Sequence, residues 1–153
     1  MTGRDAAGIG PGQTLFQFVR HWSRRWNGPA DRERSDRGRH VLVTETVYAR
    51  RHQSEVTVND VADELAVDQS GASRMVSQAV AQGYLVMSAS QSDARRRTVG
   101  LTDAGLALLD AAHTWQESTF AALTQDWTPG ERAEFHRAMS RLISRSADLA
   151  GDH

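Results

Sequence analysis

Three consecutive cations, Arg95, Arg96 and Arg97, stand two residues after an acid, Asp93. Adjacent like charges repel unless an anion neutralises them, and flanking phosphates or a minor groove would supply that anion. A polyanion would repel Asp93 as a free charge, so its expected task is to hold an arginine, Arg95 above all, by ion pairing. Upstream, Gln69, Ser70, Ala72, Ser73, Arg74, Ser77 and Gln78 gather at the start of one segment. Small and hydrogen-bonding side chains at a helix N-terminus suit a major groove, where bulky groups would hold the helix off the base edges. Each signal also has a plain reading: an amphipathic helix with a solvated polar face, and a solvated run of charge. Their occurrence in successive elements favours the nucleic-acid reading.

The elements that would carry these residues are marked by local punctuation. Thr57-Val58-Asn59-Asp60 resembles a capping box, with Asp in place of the usual Glu or Gln. A short helix should follow, with Val58, Val61, Ala62 and Leu65 inward, then a tight break at Ala66-Val67-Asp68. The second helix is expected over 69–82, closed by Gly83 and anchored by Met75, Val76, Ala79 and Val80. Two such short helices form a helix-turn-helix. Two strand-like runs, 84–88 and 98–101, predict a β-hairpin whose tip carries the arginine triplet.

Around this centre lie longer helices. Leu15, Val19, Trp22 and Trp26 form one stripe of a first helix from about Thr14, stopped by Asn27-Gly28-Pro29. Residues 30–38 read as a charged, solvated loop; a second reading has Arg32, Arg34 and Arg37, with Arg39 just beyond, touching flanking phosphates. A second helix is expected over 39–52, with Val41, Leu42, Thr46 and Ala49 inward. Thr102 should cap a long helix reaching about Gln125, with Leu106, Leu109, His113, Gln116, Phe120 and Leu123 in one stripe. Thr128-Pro129-Gly130-Glu131 opens a final helix carrying Phe135, Met139, Leu142 and Ile143 on one face and fraying near Ala150.

Composition sets the outer limits. At 153 residues, 39% apolar and 24% charged, the chain fits one folded domain with a short arm. Cysteine is absent, which removes disulfide scaffolds, thiolate zinc sites, cysteine nucleophiles and thiol redox chemistry. Net charge is −1, but it is segregated. Residues 14–51 hold nine Arg and four acids, residues 52–73 five acids and no Arg, and residues 74–101 four Arg and one acid. All basic residues are Arg, which makes bidentate phosphate contacts that Lys cannot. No apolar run approaches the ~18 residues that span a bilayer, and no secretory signal opens the chain. The cytoplasm is the expected location, with no membrane partner.

Asp93-Ala94-Arg95, followed by Leu101-Thr102 and Gly105, resembles the wing motif of the MarR (multiple antibiotic resistance regulator) family. Ser70, Ser73-Arg74, Val76 and Gly83 fall where that family's recognition helix has Ser, Thr-Arg, an apolar residue and a closing Gly, and Thr128-Pro129 matches too. The resemblance covers about residues 13–147. Ala79 stands where a larger Leu is common, Gln78 where a basic residue often lies, and the Arg-rich loop is longer than the pattern.

The resemblance implies a mainly α fold with a small β-hairpin wing: a winged helix-turn-helix plus a helical dimerisation region. Residues 1–12 would be a flexible arm, 13–56 and 102–150 dimerisation helices, and 57–101 the DNA-binding part of one integrated domain. It further implies a homodimeric transcriptional regulator, a repressor on a palindromic site in double-stranded DNA, released by a small-molecule effector. Gln69, Ser70, Ala72, Ser73, Arg74, Ser77, Gln78 and Arg95, Arg96 and Arg97 would bind DNA, and Asp93 would orient the wing. His21, Trp22, Trp26, Tyr48 and Arg51 are the candidate effector lining, although Trp22 and Trp26 share the stripe of Leu15 and Val19 and equally suit packing. None of the six His has ligand spacing, so no metal or other cofactor is expected. Without a phosphate loop, paired carboxylates in a cleft or a nucleophile elbow, no enzyme is expected either. The alternative is a winged-helix protein-interaction module that does not bind DNA.

Overall fold

A computed structural model of the chain describes residues 8–26 and 32–150. Six helices and one hairpin follow in order: α1 Pro11–Trp26, α2 Arg32–Arg50, α3 Val58–Leu65, α4 Gln69–Ala81, β1 Leu85–Ala89, β2 Arg97–Leu101, α5 Asp103–Leu123 and α6 Pro129–Ala150. Two compact units divide the chain between Asp110 and Ala111. This mainly α architecture with one small hairpin is the predicted fold class.

In the first unit, the core is built where α2, α3, α4 and the hairpin converge. Val43 and Val47 of α2, Val61 and Ala62 of α3, and Ala72, Val76 and Ala79 of α4 are buried together with Val56, Leu85 and Val99. Burying each of the valines and Leu85 contributes about 1.5–3 kcal/mol before entropy is counted. The turns that fold these elements together are set locally. Thr57 caps α3: its hydroxyl accepts from Asp60 N–H at 3.3 Å while the Asp60 carboxylate takes Thr57 N–H at 2.8 Å, which completes the expected box. Ala66 enters the left-handed region (φ 52°), and Asp68 caps α4 by accepting from Gly71 N–H at 2.8 Å. Gly83, at φ +81°, closes α4, and the N–H groups of Gly83 and Tyr84 donate to the Val80 and Ala79 carbonyls.

The strands pair antiparallel from Leu85↔Leu101 to Ala89↔Arg97. β2 leads directly into α5 through a tight joint. The Thr102 hydroxyl donates to the Gly83 and Tyr84 carbonyls and accepts from Gly105 N–H at 3.0 Å. A Cβ on Gly105 would lie 2.2 Å from the Tyr84 carbonyl oxygen, so only glycine permits this approach.

In the second unit, Phe120 stacks on Phe135 at 6.2 Å and Trp127 meets Phe135 edge-on at 5.2 Å. Thr128 and Glu131 form the predicted reciprocal cap: Thr128 N–H donates to the Glu131 carboxylate at 2.7 Å, and Glu131 N–H to the Thr128 hydroxyl at 3.2 Å. Arg132 donates to the Thr124 carbonyl through Nε and Nη2, covering the end of α5.

Several expectations are corrected. α1 starts at Pro11 rather than near Thr14. Proline suits the first helical position, and Gln13 reaches back to accept from Gly10 N–H at 3.1 Å. The loop expected over 30–38 is helical from Arg32. Glu33 favours the helix N-terminus, and Arg39 pairs with Asp36 one turn earlier at 3.4 Å. The inner face of α2 is also displaced: Val43 and Val47 join Thr46 inside, whereas Leu42 is 50% exposed and Ala49 is on the surface. The stripe read on α5 stands as a dimer expectation rather than a correction: in the single chain Leu109 is inside and Leu106 and Leu123 are exposed. Residues 1–7 and the Asn27-Gly28-Pro29 stop lie outside the described residues.

Candidate nucleic-acid interface

On α4, the capped N-terminus and the buried face decide what remains outside. Val76 and Ala79 hold the helix to the core, and Gln69, Ser70, Ser73, Arg74, Ser77 and Gln78 are all exposed on the remaining faces. Ala72 is not. It is 0% exposed, one turn before Val76, and belongs to the core, so it offers no surface to a ligand.

The hairpin tip is a compact hydrogen-bonded turn. Ser90 N–H donates to the Arg96 carbonyl at 2.8 Å and Arg96 N–H to the Asp93 carbonyl at 2.9 Å. The Asp93 carboxylate accepts from the backbone N–H of Arg95 at 3.0 Å. The expected guanidinium ion pair is therefore corrected to an Asx turn: Asp93 shapes the backbone. The side chains of Arg95, Arg96 and Arg97 are all exposed.

Behind the tip stands an acidic group that sequence reasoning missed. Glu55 accepts from the Ser90 hydroxyl and, at 2.8 Å, from Gln91 N–H. Those two hydrogen bonds, more than the nearby Arg96 charge, hold its carboxyl below the ordinary carboxylate range against the opposing effect of burial. At Asp60, burial pushes the pKa up but is outweighed by the Thr57 hydroxyl and N–H, with Arg50 and Arg96 adding to the lowering. Arg50 lies 3.0 Å from Glu64 and 3.9 Å from Asp60, tying α2 to α3. No local pattern marks Glu55, because its partners lie 35 and 36 residues downstream.

The candidate effector residues fall into two local pairs. His21 and Trp22 meet edge-on at 5.9 Å on α1, where Phe18 also tilts against Trp22. Arg51 lies 3.4 Å over the Tyr48 ring and donates to the Tyr48 carbonyl. The Trp26 side chain lies outside the described residues. A groove along α6 is lined by Trp127, Glu134, Phe135, Arg137 and Arg141, and includes none of the five. Of the cations expected near flanking phosphates, Arg37 and Arg39 sit on α2, and the side chains of Arg32 and Arg34 lie outside the described residues. Among the described residues there is no cluster of three or more metal-ligating side chains, and no helix is long and apolar enough to cross a membrane.

Residues 46–96, from within α2 to the wing tip, match the MarR family model. That segment is similar to a MarR-family winged helix. The MarR fold extends well beyond that segment. The crystal structure of MarR aligns with TM-score 0.71 at 17% identity, over 99% of this chain and 100% of that one. A MarR family transcriptional regulator from Silicibacter pomeroyi DSS aligns with TM-score 0.66 at 22% identity, over 92% and 91%. The S. aureus MepR–DNA complex aligns with TM-score 0.59 at 18% identity, over 87% of this chain and 98% of that one. No curated protein sequence matches the chain significantly.

Proposed function

We propose that the chain is a homodimeric, sequence-specific DNA-binding transcriptional regulator, a repressor acting on a palindromic operator, with no catalytic role. One observation carries the reading: a single winged helix exposes a hydrogen-bonding face on α4 and three cations at its hairpin tip. Gln69, Ser70, Ser73, Arg74, Ser77 and Gln78 would read base edges, while Arg95, Arg96 and Arg97 would meet phosphates or the minor groove. The S. aureus MepR structure with DNA, which shares the fold, supports this use of it.

Pairing of two chains is supported by apolar side chains left in solvent. Phe16 is 62% exposed on α1 and Ile143 72% exposed on α6, among Leu15, Phe18, Val19 and Leu142. Faces of this kind favour burial against a partner copy. Residues 13–56 and 102–150 would then supply the dimerising helices, and two copies of α4 would reach successive major grooves about 34 Å apart. A small-molecule effector would release DNA by binding the incompetent form of the dimer more tightly. The residues proposed for it are His21, Trp22, Trp26, Tyr48 and Arg51.

Selection of bound duplexes from a random pool tests the reading directly. A recovered palindrome is expected. Recovery of no preferred sequence, or of no duplex at low salt, refutes it.

A further inference from the structure

The wing tip is secured by a residue that does not belong to it. Glu55 lies between α2 and α3, and its two carboxylate oxygens take the Ser90 hydroxyl and the Gln91 N–H. One residue further, the Val56 carbonyl accepts from Val99 N–H of β2 at 2.7 Å, so this segment runs beside the hairpin. Ser90 distributes the hold. Its N–H reaches the Arg96 carbonyl at 2.8 Å, and its oxygen accepts from the N–H groups of Ser92 and Asp93 at 3.2 and 3.3 Å. Ser90 is 5% exposed, whereas residues 91–97 are all on the surface. A two-stranded hairpin is marginal alone, and hydrogen bonds to a charged acceptor are among the stronger ones. Through Ser90, one carboxylate therefore reaches both sides of the tip.

We propose that Glu55 is a positioning residue for duplex binding, clasping Ser90 and Gln91 so that the wing presents Arg95, Arg96 and Arg97 in one pose. The proposal rests on the DNA-binding reading above. Glu55 also carries a negative charge close to the face that would meet phosphate. Clasp and charge therefore act in opposite directions: losing the charge alone strengthens duplex binding, and losing the clasp weakens it.

Two variants and one background separate these effects. Glu55→Ala removes both, and Glu55→Gln keeps a carbonyl oxygen able to accept one hydrogen bond. Glu55→Ala is expected to bind the selected duplex on the order of tenfold more weakly, and Glu55→Gln to lose less. Amide exchange at Gln91 and Arg96 in the free protein should quicken in the same order. The loss should vanish when Arg95→Ala, Arg96→Ala and Arg97→Ala are already present, because a pose matters only for the side chains it presents. A purely structural role would persist in that background and lower thermal stability with it. Equal or tighter binding by Glu55→Ala overturns the proposal, as does a loss that survives without the wing arginines. If the unaltered chain retains no duplex at all, the DNA-binding reading fails and takes the proposal with it. If the unaltered chain binds and Glu55→Ala is indifferent, the proposal alone fails.

Discussion

Replacing Arg95 by alanine isolates the electrostatic part of duplex binding. Asp93 engages the Arg95 backbone N–H at 3.0 Å, so truncating the side chain deletes a cation while leaving the tip's hydrogen bonds in place. Each phosphate neutralised by a protein cation contributes about 0.9 to the slope of log affinity against log salt. The proposed two-fold dimer would carry the substitution twice, so the slope should flatten by about 1.8. Over a fourfold rise in salt, from about 50 to 200 mM, the unaltered protein should lose roughly twelvefold more affinity than the variant. Fluorescence anisotropy at several salt concentrations, on the selected duplex and on an unrelated one, reads this directly. Because phosphate contacts carry no sequence information, both duplexes should show the same flattening. An unchanged slope, with the variant folded, would refute the assignment of Arg95 to phosphate.

Other outcomes follow from the same geometry. Arg74→Ala should weaken the preferred duplex by about 1–3 kcal/mol at one or two base positions, read by repeating the selection with the variant. Gly105→Ala should cost about 1–3 kcal/mol or more in urea unfolding, because its methyl group meets backbone 2.2 Å away. Thr57→Ala should cost about 1 kcal/mol through loss of the α3 cap. Glu55 and Asp60 have folded pKa values below their ordinary 4.5 and 3.8, so their stabilisation is complete above those values and is lost as pH falls through the lowered ones. Melting temperature and wing amide protection should drop together in that acid window. Burial lowers the pKa of His40, with Arg39 assisting and Asp36 opposing. Stability should therefore decline as pH falls below 6.5, and His40→Gln should remove that component from the melting curve.

The parts of the fold legible in the sequence were those specified within a few residues. Thr57 and Asp60, Asp68, Gly83, and Thr128 with Glu131 make bonds across three or four positions, and each marks an element boundary the structure contains. The start of α2 lacked such a mark. Arg32 to Arg39 has no apolar period, and its helicity rests on charge placement that resembles a solvated loop in one dimension. Ala72 is small enough to pass for a groove residue beside its polar neighbours, although its spacing from Val76 and Ala79 puts it on the inner face. Glu55 could not be found from spacing at all, since only the folded chain brings it to Ser90.

The joint at Thr102 and Gly105 has a mechanical consequence. With the Gly105 Cα pressed against the Tyr84 carbonyl and Thr102 bonded across to Gly83, there is no slack between the end of α4 and the beginning of α5. Any tilt of the first turn of α5 must carry that peptide with it, and Tyr84 N–H is itself fastened to the Ala79 carbonyl. The first turn of α5 and the C-terminal end of α4 are thus riveted through a single peptide, and neither can shift without dragging the other.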